Sequence, residues 1–382
     1  MKKITTIAIV AGFILAGTPL LACTAFMASR GDTVYVGNNE DYINPLTKVW
    51  FEPRSRGKNG KVYYGRVYFG FDNFWPQGGM NDQGLFFDGF ATKTKKIKES
   101  LHKPKYPANL IDKAMAECAT VKEVLEVFDR YNLHFMEKSM FMFADVTGDS
   151  VIIEGDAVVR KSGRYQIVTN FYQSEIKDDN YPCERYKLSA KMLENGGDIT
   201  IDSFRRILAA VHNEGDFVNT LYSNIYDLKR KRVHLFYFHN FENEVVIELE
   251  DELKKGKHSY DLPSLFPKSF AAETYLNIYK RRKAIARANV NPKIYDDYIG
   301  LYQMPSDMVS NTAIAITKHG NKLYGFYPEL PSNELLPTSN NQFLNVSKSG
   351  VVKVTFEKGK AGIVPEMKVE LKGQTFTAKK IR

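Results

Sequence analysis

The sequence contains little cysteine: Cys23, Cys118 and Cys183 are its only three in 382 residues. Three cysteines cannot form the disulfide framework of a small secreted scaffold, and no two of them have the spacing of zinc ligands. The sequence also lacks a phosphate-binding loop, a dinucleotide-binding glycine motif and the G-x-S-x-G motif of serine hydrolases. We therefore expect no metal site and no cofactor.

The formal net charge of +9 does not indicate a nucleic-acid-binding protein. Lys2 and Lys3 lie in a leader segment, and without them 51 basic residues face 44 acidic ones, an excess of +7. That excess is concentrated in three short runs typical of solvated loops and helix faces, at 93–98, 229–232 and 280–283. Because no zinc-finger, RNA-recognition or helix-turn-helix signature accompanies them, we exclude nucleic acid as a partner.

The composition is that of an ordinary globular protein, with 43% hydrophobic and 25% charged residues. A chain of 382 residues is long for a single domain, so the length predicts two.

Residues 1–22 have the pattern of a secretory signal peptide: two lysines, an apolar run over 4–16, and then Thr18-Pro19-Leu20-Leu21-Ala22. The apolar run is short for a membrane span. We therefore predict export to the periplasm or the extracellular space.

Cys23 follows this leader directly and has two mutually exclusive interpretations. Leu20-Leu21-Ala22-Cys23 is close to a lipoprotein box, in which Cys23 would be lipidated and would anchor the protein to a membrane. Alternatively, cleavage after Ala22 leaves Cys23 with a free α-amine and a free thiol. Lipidation consumes both groups, and the leader by itself favours the lipoprotein.

The chain after Cys23 alternates blocks of strands with blocks of helices. A β-hairpin is predicted over 24–28 and 33–37 around the turn Arg30-Gly31-Asp32. Further strands are predicted at 62–71, 85–90, 140–144, 151–154, 165–169, 220–226, 233–238 and 244–248, with a turn at 78–84. Helices are predicted at 110–131, 184–194, 201–211 and 271–287. This order favours a layered α+β domain over alternating β/α units.

The pattern changes after about residue 250. We predict a linker and basic helix over 251–289 and a small, separate, β-rich domain over 290–382, so that 23–250 forms the main domain. The opening Tyr298-Ile299-Gly300-Leu301-Tyr302 and the later Leu335-Leu336-Pro337 resemble a small β-barrel-like domain appended to secreted β-lactamase-related hydrolases. That resemblance implies a lid, docking or stabilising module, and a plain spacer remains the alternative.

An N-terminal cysteine would be chemically self-sufficient as a nucleophile. A free α-amine has a pKa of about 8 and lies within one residue's reach of the thiol, so it can accept the thiol proton without a catalytic histidine. The seven histidines are scattered, and we expect His212, His234 and His239 to be ordinary structural or surface residues.

Seven short blocks in order resemble the choloylglycine hydrolase family of N-terminal-nucleophile amidases, which includes bile salt hydrolases and penicillin V acylases. The blocks are Cys23-Thr24, Gly37-Asn38-Asn39-Glu40-Asp41, Phe51-Glu52-Pro53-Arg54, Gly79-Met80-Asn81-Asp82-Gln83-Gly84-Leu85, Val168-Thr169-Asn170, Glu184-Arg185-Tyr186 and Thr220-Leu221-Tyr222-Ser223. The resemblance implies a four-layer αββα sandwich followed by a small antiparallel β domain.

The resemblance also implies a role for each residue that matches the family pattern. Cys23 would be the nucleophile, Asp41 would hold its α-amine, and Asn170 would donate to the oxyanion or to the amine network. Arg185 would orient the charged groups, and its positive charge would lower the pKa of the thiol. Taken singly, Asp41 could be a turn residue, Asn170 a strand cap and Arg185 an ion-pair partner on a helix.

The positions expected to contact the substrate depart from bile salt hydrolases. Asn38 stands where those enzymes usually have Arg, and Ala91 replaces the expected oxyanion Asn. Asn81 is the third expected contact, with a turn residue as its alternative interpretation. The departures imply a related linear-amide hydrolase acting on a small-molecule amide, with an acyl transferase or a non-enzymatic lipoprotein as alternatives. The acyl group, the amine and any assembly into a homo-oligomer stay open.

Overall fold

A computed structural model describes residues 23–57, 60–178, 180–195, 198–215, 218–305, 313–326, 333–347, 350–359 and 363–381. The predicted signal peptide lies outside the described residues. In the described parts of the chain, none of the helices combines the length and apolar character needed to cross a membrane.

Among the described residues, sixteen strands precede the C-terminal part of the chain. In chain order they are β1 (Thr24–Arg30), β2 (Thr33–Tyr42), β3 (Thr47–Glu52), β4 (Ser55–Arg56), β5 (Val62–Tyr63), β6 (Arg66–Phe71), β7 (Pro76–Asn81), β8 (Phe86–Ala91), β9 (Ser139–Ala144), β10 (Ser150–Glu154), β11 (Ala157–Arg160), β12 (Tyr165–Val168), β13 (Asn219–Asp227), β14 (Arg232–Tyr237), β15 (Asn240–Glu248) and β16 (His258–Asp261).

In the parts of the chain that the structure describes, six α-helices accompany them. They are α1 (Leu110–Glu117), α2 (Val121–Asp129), α3 (Glu184–Asn195), α4 (Ile201–Ala210), α5 (Leu249–Lys254) and α6 (Phe270–Ala284). Short 3₁₀ segments lie at His134–Met136, Gln173–Glu175, Leu262–Leu265 and Pro292–Asp297.

Two antiparallel sheets form the centre of the main domain. One has six strands in the order β12-β1-β2-β13-β14-β15, and the other has eight in the order β11-β10-β9-β8-β7-β6-β3-β16. The largest buried cluster lies between the sheets and draws on alternate residues of each strand, such as Val34 and Val36 of β2 and Phe86 and Phe90 of β8. The predicted hairpin is confirmed, with Phe26 opposite Gly37.

Helices cover the outer face of each sheet. Phe204 and Leu208 of α4 pack on Phe26 of the six-stranded sheet, while α1 and α2 pack on Phe87 and Phe143 of the eight-stranded sheet. The layers are therefore helix, sheet, sheet, helix, which confirms the predicted αββα class. The predicted helices at 184–194 and 201–211 are confirmed as α3 and α4.

One predicted helix is two. The apolar spacing over 110–131 suggested a continuous helix, but α1 ends at Glu117 and α2 starts at Val121. Thr120 explains the break, because its hydroxyl accepts from the backbone N–H of Glu123 while the Glu123 carboxylate accepts from the N–H of Thr120. This capping box begins a new helix within a pattern of apolar residues that runs through it.

Two predicted β features were also wrong in extent. The strand expected over 62–71 is interrupted after Tyr63, and β6 starts at Arg66. The turn expected over 78–84 is shorter, because β7 extends to Asn81. Gly84 adopts a φ of +79°, and a Cβ there would lie 2.3 Å from the carbonyl oxygen of Leu228. The turn therefore needs glycine at that one position.

A closed barrel ends the chain. Its eight strands are β17 (Gly300–Gln303), β18 (Ala313–His319), β19 (Lys322–Phe326), β20 (Asn333–Pro337), β21 (Gln342–Ser347), β22 (Gly350–Glu357), β23 (Glu366–Leu371) and β24 (Gln374–Lys380). Its own core contains stacked rings of Tyr298 and Phe356. The predicted antiparallel β domain is thus confirmed, and an ion pair of 2.9 Å joins Arg282 of α6 to Glu334 of β20.

Candidate active site

Cys23 lies immediately before β1, near the middle of the six-stranded sheet. Its side chain is 4% exposed and belongs to the cluster between the two sheets. The thiol sulfur is 3.8 Å from the backbone carbonyl oxygen of Asp41, at the end of the neighbouring strand β2. Strand pairing therefore fixes the distance between these two residues, since Thr24 lies opposite Asn39 in the same ladder.

Arg185 connects the predicted catalytic residues. It lies in the first turn of α3, and its Nη1 donates to the backbone carbonyl of Cys23 over 3.0 Å and to the hydroxyl of Thr24. The same nitrogen is 3.5 Å from the Asp41 carboxylate. Nη2 lies 3.4 Å from Oδ1 of Asn170. The guanidinium group of Arg185 thus brings together Cys23, Asp41 and Asn170.

The carboxylate of Asp41 is fully buried and is held from three sides. The Thr220 hydroxyl donates to Oδ1, and Nδ2 of Asn213 donates to Oδ2 over 3.0 Å. Burial raises the pKa of Asp41 to about 7, against the opposing effects of Arg185, Thr220 and Asn213. An ammonium group at Cys23 would oppose this rise in the Asp41 pKa, because an opposite charge favours the carboxylate.

Asn170 links the two sheets at the edge of this site. It follows β12 of the six-stranded sheet, and its Nδ2 donates over 2.9 Å to the carbonyl of Ala91, which ends β8 of the other sheet. One amide N–H bond of Asn170 is thereby engaged. An asparagine amide carries two, and the second has no acceptor among the described residues. Ala91 itself contributes only its backbone carbonyl to these contacts.

Two further carboxyl groups approach Cys23 from the space between the sheets. Glu40 of β2 is 2% exposed and lies within hydrogen-bonding reach of the thiol. Asp88 of β8 is fully buried and accepts from Nδ2 of Asn38 over 2.8 Å. Among the described residues, Oε2 of Glu40 has no hydrogen-bond partner. Burial raises the pKa of both carboxyl groups, and the charge of Asp88 raises that of Glu40 further.

The thiol of Cys23 is held in its neutral form. Burial raises its pKa well above the ordinary value, and the charges of Glu40, Asp41 and Asp88 raise it further. That Arg185 lowers this pKa stays a prediction, and its positive charge would have to act against the loss of hydration and three acidic neighbours. A nucleophile of this kind needs a base that removes its proton during attack.

Asn81 takes a structural position. Its Nδ2 donates to the carbonyls of Met115 and Cys118 at the end of α1, at 2.9 and 2.8 Å, and its Oδ1 accepts from the N–H groups of Gln83 and Leu85. The residue is fully buried, and these four contacts use the hydrogen-bonding capacity of its amide. This geometry favours the alternative interpretation of Asn81 as a turn residue over the predicted substrate contact.

The thiols of the other two cysteines are free. Cys118 is buried at the C-terminal end of α1, where burial raises its pKa to about 12. Cys183 is partly exposed two residues before Arg185.

Four residues around Asp41 and the Cys23 thiol were not predicted as site residues from the sequence: Glu40, Asp88, Asn213 and Thr220. A signal existed for two of them. Strand alternation places Glu40 on the same face as Asn38, and Asp88 is an acid within an otherwise apolar strand. Thr220 lay in a block used for the family resemblance. Nothing in the local sequence distinguishes Asn213, because its contact with Asp41 spans 172 residues.

No family model matches the sequence, and no curated protein matches it. Several solved structures do match it. Two variants of the conjugated bile acid hydrolase from Clostridium perfringens are each 18% identical, with TM-scores of 0.49 and 0.47. They cover 65% and 62% of this chain and 99% and 96% of their own. Penicillin V acylase from Agrobacterium tumefaciens is 18% identical with a TM-score of 0.41, covering 63% of this chain and 92% of its own.

Proposed function

We propose that this protein is a cysteine-nucleophile hydrolase of linear carbon–nitrogen amide bonds in small molecules. In this proposal, cleavage after Ala22 exposes the α-amine of Cys23, and that amine is the general base. The observation that carries the proposal is the convergence of Cys23, Asp41 and Asn170 on Arg185. Burying charged and amide groups around a cysteine has a desolvation cost, and a catalytic role accounts for that cost where a purely structural role does not.

The reaction would run in two halves. The α-amine takes the proton from the Cys23 sulfur as that sulfur attacks the amide carbonyl carbon, and a C–S bond forms. The C–N bond then breaks, and the α-ammonium gives its proton to the leaving amine. Water attacks the acyl-thioester carbonyl carbon and loses a proton to the α-amine. The C–S bond then breaks, and the α-ammonium returns that proton to the sulfur, which releases the carboxylic acid and restores the thiol. No cofactor or external redox partner enters this balance.

The surrounding residues have roles consistent with this chemistry. Asp41 would stabilise the α-ammonium when it forms, since a carboxylate beside an amine favours the charged amine. The second amide N–H bond of Asn170 would donate to the oxyanion, a contribution that is typically worth about a hundredfold in rate. Arg185 contacts the carbonyl of Cys23 and so would hold the nucleophile's backbone in place.

The neutral thiol supports an adjacent base over a preformed thiolate. Burial and three acidic neighbours disfavour a thiolate at Cys23. With a new α-ammonium beside it, Asp41 would have a lower pKa than in the uncleaved chain, because an opposite charge favours the carboxylate. Cleavage would therefore favour the ionised form of Asp41.

Export to the periplasm or the extracellular space follows from the predicted signal peptide and belongs to the same proposal. The competing proposal is a lipoprotein whose Cys23 is only an anchor. Mass spectrometry of the mature N-terminus separates the two, because a diacylglyceryl group on Cys23 excludes the nucleophile.

The test of the chemistry compares the chain beginning at Cys23 with its Cys23→Ser and Cys23→Ala variants. The substrates are p-nitroanilides of short-chain, long-chain and arylacetic acids, together with glycine conjugates of the same acids. We expect both variants to lose at least about a hundredfold in kcat/KM while keeping the wild-type melting temperature. Cys183→Ser is the matched control and should retain full activity. Wild-type rates in Cys23→Ala would overturn the proposal.

An acyl transferase would use the same first half-reaction, so the second half separates the two. Adding glycine or hydroxylamine to the assay shows whether an amine captures the acyl group in preference to water. Accumulation of an acylated protein, heavier by the acyl mass at Cys23, is expected for either enzyme and is not expected for a lipoprotein.

A further inference from the structure

Three metal-ligating side chains meet at one end of the six-stranded sheet. His212 and Glu214 lie in the loop after α4, and His239 lies in the turn between β14 and β15. One ligand atom from each residue lies within 4.8 Å of the other two. The rings of His212 and His239 are 4.8 Å apart between centroids.

Each residue is presented by a specific local geometry. Nδ1 of His212 lies 2.6 Å from the backbone carbonyl of Ala209, so this nitrogen carries the proton and Nε2 keeps its lone pair. A histidine that donates one ring N–H to a backbone carbonyl and offers the other nitrogen is the usual arrangement of a metal-bound histidine. Phe238 and His239 both have positive φ, at 48° and 65°, in the tight turn that places the His239 ring 4.8 Å from the ring of His212.

We propose that His212, Glu214 and His239 bind a divalent transition-metal ion, with Zn²⁺ as the preferred ion. Two imidazoles and one carboxylate form a ligand set that zinc commonly takes, with the fourth position left for water or a ligand. Zinc–ligand bonds of about 2.0–2.2 Å place tetrahedral ligands about 3.4 Å apart, so the three groups must close by up to roughly 1.4 Å. Glu214 is exposed, so its carboxylate can move toward the two imidazoles.

The site is connected to Asp41 through a single residue. Asn213 lies between His212 and Glu214 in sequence, and its Nδ2 donates to the Asp41 carboxylate over 3.0 Å. Its backbone is also tied to Thr220: the Thr220 hydroxyl accepts from the Asn213 N–H over 2.7 Å, and the Thr220 N–H donates to the Asn213 carbonyl over 2.9 Å. A metal that fixes the loop would fix the support of Asp41. This coupling rests on the proposed function, whereas metal binding itself does not.

The experiment titrates Zn²⁺ and Co²⁺ into the mature chain, produced without a histidine tag. Isothermal titration should give one Zn²⁺ per chain, and Co²⁺ should develop the visible absorption bands of a low-symmetry site. Glu214→Gln and His239→Asn should each weaken Zn²⁺ binding at least about tenfold. Asparagine is chosen because it tolerates positive φ, and Glu214→Gln changes an exposed side chain, so neither variant should unfold the protein.

His234→Ala is the matched control, because His234 forms a pair with Glu244 on the same hairpin but has no third ligand among the described residues. It should bind Zn²⁺ like the wild type. Absence of stoichiometric binding, or equal affinity in wild type and His239→Asn, would overturn the site. Binding without any effect of EDTA on amide turnover would leave the site standing and refute only its coupling to Asp41. Loss of turnover in Cys23→Ala with intact metal binding separates the two proposals.

Discussion

Glu40 and Asp88 bring carboxyl groups from opposite sheets into one buried space beside the Cys23 thiol. Each has a raised pKa, first because of burial, and Asp88 raises the pKa of Glu40 further. Asn38 supplies one donor to Asp88. This acidic interior pair is compatible with a stable fold only while at least one of the two groups holds a proton.

Stability should therefore fall as the pH rises. Between the unfolded pKa values, near 4, and the raised native values, the folded state binds more protons than the unfolded state, so the free energy of unfolding decreases with pH. One such group accounts for at most about 1.4 kcal/mol per pH unit. Glu40→Gln removes this titrating carboxyl group. The free energy of unfolding of the variant, relative to that of the wild type, should therefore be higher at pH 8 than at pH 5, as measured by urea unfolding at both values.

Glu154→Gln is the matched control for a buried acid with a full set of partners. The Glu154 carboxylate accepts from the N–H groups of Gln173 and Ser174 and from the Ser174 hydroxyl. Its replacement should lower stability by about 1–3 kcal/mol at both pH values. An equal effect of Glu40→Gln at pH 5 and pH 8 would contradict the interpretation of the acidic pair.

The pH profile of amide hydrolysis should respond to Asp41. The α-amine base must be neutral to accept the thiol proton, so kcat/KM should rise through the pKa of the amine, about 8 before local effects. A carboxylate beside the amine raises that pKa. Asp41→Asn should therefore move the rising limb to lower pH and also reduce the maximum rate, in assays from pH 5 to 9. If the rising limb of the kcat/KM profile is at the same pH in Asp41→Asn and wild type, the amine is excluded as the base.

Arg185→Lys tests whether activity depends on the planar shape of the Arg185 guanidinium or only on its positive charge. Lysine keeps the positive charge, but one ammonium cannot contact both the Cys23 carbonyl and the Asn170 amide as the planar guanidinium does. We expect a loss of roughly a hundredfold in kcat/KM, the scale associated with a misplaced catalytic group. Lys187→Ala, which removes an exposed ion pair with Glu184 on the same helix, is the control and should leave activity unchanged.

The contact between α6 and the barrel should depend on a nearly buried ion pair. The side chains of Arg282 and Glu334 are 10% and 12% exposed and lie 2.9 Å apart. Glu334→Gln leaves the arginine charge poorly compensated, so we expect a loss of about 3–5 kcal/mol in stability. Replacing both residues, as Arg282→Met with Glu334→Leu, should recover most of this loss in thermal unfolding. No recovery would show that the pair is not the source of the effect.

Much of the layered architecture could be predicted because its signals are local. The hairpin at β1 and β2, the capped helix α4 and the run of short C-terminal strands each follow from alternation, capping residues or turns within a few residues. The break between α1 and α2 was missed because Thr120 and Glu123 interrupt a pattern of apolar residues that continues through them.

The residues of the candidate site could be named from the sequence, whereas the pKa shifts among them could not. Cys23, Asp41, Asn170 and Arg185 were identified through a resemblance, and the structure brings them together. The rise in the thiol pKa depends first on how completely water is removed, and further on acids such as Asp88, which lies on a different sheet from Cys23. Neither quantity is encoded in any short stretch of sequence.

Chain ends usually fray, yet Cys23 directly precedes a strand that is paired on both sides, with β12 on one edge and β2 on the other. The amide groups of Thr24 to Met27 should consequently exchange with deuterium only on the timescale of global unfolding. A nucleophile anchored this way loses almost no entropy on reaching its reactive position. Maturation would then activate a terminus whose rigidity was already built into the folded precursor.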